Sequence, residues 1–431
     1  VITVGASEGV RAFGGNDGCS ISDAQANSAN DIIGFSSRGP CDDGRIKPDI
    51  VTCGTHVTGG VFASSPANPI AGTGTAAACY NGSSVCGGVG SIFFPAGQEW
   101  YSASSGTSHS TPAVAGFAAL IRQNFINKSL PVPSPAMTKA MIMNSAGYMN
   151  GAGANDNLYS NNQGMGTVNM NNYFMAMDNP NIIRDQQVLD MFTASGQEFS
   201  RSGVIANNAQ PVRITLAYTD APGPTSGNSF VNNLDLEVTI NGDTYLGNVF
   251  TGSLSVLGGT ADTRNNTECV FLPAGTTGNI FVKVKATNIA GDGVPNNGNP
   301  LDQDFALIVT NVNEQLMPVA SSTGAVVTAE ACGAGLVLDP QDHITVSLPI
   351  TNIGTLATTN LTATLQTNAG VVFPSAPQNY GAINPGNTVS NPFSFFVNNT
   401  VNCGETITLT WDLVDGVTNM GTLSKVFSVG S

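Results

Sequence analysis

Residues 105–116 read Ser-Gly-Thr-Ser-His-Ser-Thr-Pro-Ala-Val-Ala-Gly. Small hydroxyl residues followed by an apolar run open a helix, and Pro112 falls in the first turn, where its missing N–H costs little. The pattern predicts a helix from about Ser108 to Asn124. It is apolar on nearly every side: Ala113, Val114, Ala115, Phe117, Ala118, Ala119, Leu120 and Ile121. A helix apolar all round belongs in the middle of a domain. The backbone N–H groups around Ser108 have no intrahelical acceptor. With the helix dipole they can stabilise an oxyanion, and Gly106 lets a carbonyl approach. Taken alone, the stretch fits either an N-capping serine or a nucleophile.

Upstream, residues 1–6, Val-Ile-Thr-Val-Gly-Ala, form a short apolar run closed by glycine, as buried parallel strands do. Such a strand needs neighbours on both sides, and residues 1–180 offer few, so further strands are expected outside this sequence. Asp49-Ile50-Val51 is a second short strand, and residues 57–100 read as long loops pinned by cysteines. Downstream, Ser134 is an N-cap with Pro135 at the first helical position, opening a helix through Met137, Ala140, Met141 and Ile142 that ends near Gly147.

After about residue 185 the pattern turns to period two. Strands are expected at 213–219, 234–240, 280–286 and 304–311, separated by Gly, Asn and Pro. Beyond Met317-Pro318 a second β-rich block begins. There Ile344, Val346, Leu348 and Ile350 alternate with polar or small residues, and Ile407, Leu409 and Trp411 alternate with Thr406, Thr408 and Thr410.

The 431 residues suggest about three domains. Charged residues are only 10% and the net charge is −15, with 14 Lys plus Arg, so no basic stripe exists for nucleic acid. Eight cysteines without a Cys-x-x-Cys spacing point away from zinc and toward disulfides in an oxidising compartment. Spacing does not give their connectivity; the expected pairs, each within one domain, are Cys79–Cys86 and Cys332–Cys403. No run of 18 apolar residues spans a membrane. The first residue is Val1, which suggests a processed or cut chain.

GTSHSTPAVAG at 106–116 resembles the nucleophile motif of the subtilisin-like serine proteases. FSSRGPCDDGRIKPDI at 35–50 resembles the segment before that motif, and residues 1–6 resemble the strand after the oxyanion-hole asparagine. RITLAYTDAPG at 213–223, NNLDLEV at 232–238 and DTRNNTECVF at 262–271 resemble the C-terminal β-barrel of the Kp-43-type subtilases. The resemblance covers about residues 1–312.

It implies an α/β fold at 1–184, the C-terminal part of a subtilisin-like parallel-sheet domain. A jelly-roll-like β-sandwich at 185–313 and an immunoglobulin-like β-sandwich at 319–431 would follow. It implies a secreted endopeptidase acting on protein or peptide substrates through an acyl-enzyme on Ser108. Ser105, Gly106 and Thr107 would form the substrate and oxyanion region, and Tyr101 to Ser105 would line part of the specificity pocket. The family's aspartate, histidine and oxyanion asparagine would lie before Val1, in an N-terminal half acting as partner. The chain alone is then expected to be inert.

Three histidines are present. His56 sits in Cys-Gly-Thr-His-Val, but Cys53 occupies the place of the family's catalytic histidine. His109 adjoins Ser108, and adjacent helical side chains do not face each other. His343 is expected at the surface. Structural Ca²⁺ is expected on loop oxygens, from Asp220, Asn233, Asp235, Asp262 and Glu268, with Asn232 and Asn265 nearby; ordinary Asx turns are the plainer reading. The last domain is taken as a spacer. The competing class is a non-catalytic adhesion or interaction protein on a degenerate protease scaffold.

Overall fold

A computed structural model describes residues 1–17, 19–60, 94–95, 101–315, 318, 320–322, 324–331, 338–352 and 356–430. The expectations for Cys79, Cys86, Cys332 and most of the 57–100 loop lie outside these residues.

Strands β1 (Val4–Ser7) and β2 (Ile50–Cys53) pair in parallel, Val4 opposite Ile50 and Ser7 opposite Cys53. Strand β3 (Val57–Gly60) pairs antiparallel with β4 (Tyr101–Ser104), which leads into helix α1 (Thr107–Asn127). Helix α2 (Pro135–Asn144) starts as its residues dictate: the Ser134 hydroxyl accepts from the Met137 N–H at 2.9 Å. Helix α3 (Met170–Asp178) closes the helical part.

One expectation fails here. Helix α1 is buried on a single face, through Ser110, Val114, Phe117, Ile121 and Phe125. Leu120 and Ile126 remain 44% and 47% exposed. The buried positions recur every three or four residues, so one stripe faces the core, while Ala113, Ala115, Gly116 and Ala119 lie outward together with Leu120, Ile126 and several polar residues.

The β part begins with β5 (Asn181–Asp185), β6 (Glu198–Ile205), β7 (Val212–Ala217), β8 (Asn233–Ile240) and β9 (Asp243–Leu246). A short hairpin, β10 (Phe250–Thr251) and β11 (Leu254–Ser255), precedes β12 (Thr267–Leu272), β13 (Asn279–Asn288) and β14 (Ala306–Thr310). One sheet runs β12-β7-β14-β5; in another, β6, β13, β8 and β9 are neighbours. All six residues of β12 are buried. Cys269 and Phe271 join the core built on α1 and α2, whereas Val270 and Leu272 join the core of the second sheet. A strand covered on both faces reads as a continuous apolar run. The residues before and after 185 therefore share one core.

The chain divides into two compact units, the first made of Val1–Phe199 and Gly203–Glu314, the second of Ser200–Ser202 and Gln315–Ser431. The second unit holds two antiparallel sheets around one core that includes Ile344, Val346, Leu348, Ile350, Phe393, Leu409 and Trp411. The period-two pattern that marks its strands is the burial pattern itself: His343–Asn352 alternates exposed or half-buried with fully buried residues.

Cys41, Cys53, Cys269 and Cys403 are free, and Cys19 is disulfide-bonded. The expected Cys332–Cys403 pair is thereby corrected: Cys403 lies exposed with an unbonded sulfur.

Candidate active site

The turn before α1 is strapped to the carboxyl end of β2. Gly106 N–H donates to the Gly54 carbonyl at 2.7 Å, and the Ser110 hydroxyl lies 3.0 and 3.2 Å from the Thr52 and Cys53 carbonyls. The strap needs glycine at both ends. A Cβ on Gly54 would come within 2.6 Å of Ser110 Oγ. Gly106, the N-cap, has φ of 154°, a conformation that residues with a side chain rarely adopt. Ligands of open parallel sheets gather at the carboxyl ends of the strands, which is where this turn lies.

Thr107 is the first helical residue, and Ser108, the second, is exposed to solvent. Its backbone N–H lies in the turn whose donors lack intrahelical acceptors. Ser105 is used differently. Its hydroxyl donates to Asp17 Oδ2 and accepts from the His56 backbone N–H at 3.0 Å. Of the residues expected to line the specificity pocket, Tyr101 is exposed and Ser102 and Ala103 are buried.

Sequence reading missed Asp17. It is fully buried, and its Oδ1 accepts from the Cys19 and Ile21 N–H groups at 2.7 and 3.2 Å. Together Asp17, Ser105 and His56 hold the chain just before the turn that opens α1. The three meet from positions 17, 56 and 105, a spacing with no local signature.

His56 is 1% exposed, at φ of 51°, with its ring stacked on Phe13 at 5.2 Å. Ring Nε2 faces the Ile21 carbonyl at 3.2 Å and so carries the proton there. Asp17 Oδ2 and Asp23 Oδ1 each lie 3.9 Å from the ring. A nitrogen donating to a carbonyl is not one that takes a proton from a serine. His109 is half-buried, and His343 is exposed against Phe396.

Of the five residues expected around calcium, Asp262 and Asp235 lie near enough to Glu268 to raise its buried carboxyl. Among the described residues no three His, Cys, Asp or Glu side chains group to hold a metal. Asp220 accepts from the Val231 and Asn232 N–H groups at 2.8 Å each, bonds that reach 11 and 12 residues along the chain. Asp262 accepts from Asn248, Arg264 and Asn265. Asp235 is engaged by Asn233 and Thr287. Glu268 takes the Leu236 N–H on Oε2 at 2.8 Å and leaves Oε1 without a partner.

Beneath the helices lies a charged knot. Asp49, fully buried, accepts from both Thr3 N and Oγ1, the Tyr159 hydroxyl and Lys47, with Lys139 Nζ at 3.1 Å. Burial alone would raise this carboxyl, but Lys139 and Lys47 hold it well below the usual carboxylate range. It fixes the start of β2 against β1 and so sets the register that carries the turn before α1.

The sequence model of the Subtilase family, Peptidase_S8, matches residues 1–166. Two similar proteins come from Dictyostelium discoideum. The serine protease/ABC transporter B family protein tagB is 27% identical over 318 residues, 60% of this chain and 16% of its own length. Protein tagD of the same description is 25% identical over 317 residues, again 60% and 16%. The chain thus spans about one sixth of these relatives. Among solved structures, a putative beta-galactosidase from Bacteroides fragilis aligns with 55% of this chain and 33% of its own, at 14% identity and a TM-score of 0.21. Residues 1–166, the segment that holds the strapped helix and presents Ser108, are the part of the chain that matches the Subtilase family.

Proposed function

We propose that Ser108 is the nucleophile of a secreted serine endopeptidase, and that the histidine, aspartate and second oxyanion donor come from polypeptide beyond these 431 residues. The observation that carries the proposal is the exposed Ser108 hydroxyl in the first turn of α1, behind a glycine in a conformation that favours glycine. Ser108 Oγ attacks the scissile carbonyl while the histidine accepts its proton, giving a tetrahedral oxyanion. The Ser108 N–H donates to that oxyanion. The amine leaves with the proton, and water then releases the acyl group by the same path.

Two further features support the reading. His56 is 1% exposed with its ring stacked on Phe13, enclosed rather than presented as a base to an incoming substrate. The outward face of α1, with Ala113, Ala119, Leu120 and Ile126 exposed, suits a further layer of chain. Peptide substrate and extracellular location belong to this same proposal. Peptidase assays on the longer polypeptide test it. Ser108→Ala is expected to lower kcat by on the order of 10⁶. A variant that retains wild-type turnover would refute it.

A further inference from the structure

At the other end of β1 from the nucleophile turn, a cavity of about 390 Å³ is walled by residues that include Arg45, Lys47, Lys139 and Arg264. These are four of only 14 basic residues in a chain of net charge −15. One acid, Asp220, lines the same wall. They reach it from three elements: the loop before β2, helix α2 and the loop before β12.

The charges are not all spent on one another. Lys47 and Lys139 share the single carboxylate of Asp49, at 2.8 and 3.1 Å. Two ammoniums against one carboxylate leave a positive charge over. Lys139 is held in place, 7% exposed, with a further bond to Asn266 at 3.2 Å. Arg45 is paired with Asp43 at 2.7 Å and remains about one-third exposed. Arg264 is exposed, with its guanidinium packed on Gly44. Asp220 turns its oxygens to the Val231 and Asn232 backbone N–H groups. Pro135 and Ala136 on the wall begin α2 and add the positive end of its dipole.

We propose that this cavity is a binding site for a tetrahedral oxyanion of the phosphate class. Cations converging from three elements suit a ligand with acceptors on several sides. The acidic remainder of the molecule repels anions, so binding requires this local arrangement rather than general attraction. The site does not involve Ser108, but Val1, Ile2 and Thr3 also wall it, so the titration is run on the longer polypeptide as well.

The test is calorimetric titration of the chain with inorganic phosphate, at ionic strength held constant with chloride. One saturable site is expected. Arg264→Gln, an exposed change that leaves the Asp43–Arg45 and Asp49 pairs intact, should weaken it about tenfold or more. Arg264→Lys should weaken it less, and Lys285→Gln, on β13, should leave it unchanged. Melting temperature in chloride monitors the fold of each variant. Absence of saturable binding, or Arg264→Gln and Arg264→Lys binding as tightly as the wild type, overturns the proposal.

Discussion

Gly106 stands two residues before Ser108 with φ of 154°, and a Cβ there would meet only ordinary contacts, 3.7 Å from the Ser108 nitrogen. The demand for glycine is conformational rather than spatial. Gly106→Ala is expected to cost about 1–3 kcal/mol of strain. It should relieve that strain by turning the Ser108 N–H, so kcat in the longer polypeptide should fall more than stability does. Equal retention of kcat would show that the turn's geometry is immaterial. Asp49 makes a different prediction. Its folded carboxyl is held low by the two lysines, so its stabilisation is complete above the ordinary carboxylate range and is lost as pH falls through the folded value. Asp49→Asn strands Lys139 in the core and should cost about 3–5 kcal/mol near neutral pH. Urea unfolding checks this; a loss under 1 kcal/mol, or one that grows toward acid, would contradict it. The Gly-Thr-Ser turn was legible because its residues are contiguous. Asp17, Lys139 and Arg264 were not, because their partners lie far along the chain.

Among the elements, α1 tests how much pattern reading can carry. Its residues looked apolar all round, yet Phe117 is buried and Leu120 is 44% exposed. Composition does not say which face meets the core when apolar residues such as Leu120 and Ile126 also lie on the other. Phe117→Ala should cost about 3–5 kcal/mol and Leu120→Ala less than 0.5 in the 431-residue chain. In the longer polypeptide Leu120→Ala should cost more, since the proposal covers that face; chemical denaturation of both forms compares them. Strand β12 gives the pH-dependent case. Burial raises the Glu268 carboxyl well above its usual range, with Asp262, Asp235 and Glu237 adding to the effect. The folded state binds the proton more tightly than the unfolded chain, so this group's contribution falls as pH rises above the ordinary glutamate range. Glu268→Gln should therefore gain stability over wild type, increasingly so toward pH 8. A calcium ion bound at Glu268 reverses the sign, and melting with and without calcium reads the difference. The Ser134–Pro135 start of α2 and the alternating strands were legible because caps and period two are local; the two-sided burial of β12 required its neighbours.

For the whole molecule, the division into two units with separate cores predicts two unfolding transitions. Trp411, fully buried in the second unit, offers the assignment. Trp411→Ala should lower one transition in a calorimetric scan and leave the other in place, and a single transition shifted as a whole would contradict independent units. That a helical layer and the sheet carrying β7, β12 and β14 share one core was not legible, since the change of period near residue 185 looks like a boundary. The central claim is that the Ser108 hydroxyl is the acylated atom. Its most direct test is a fluorophosphonate probe applied to the longer polypeptide, with the modified residue mapped by mass spectrometry. The account predicts modification at Ser108, abolished in Ser108→Ala, with Ser105 and Ser110 untouched. Probe carried on another serine while Ser108 stays free would contradict it.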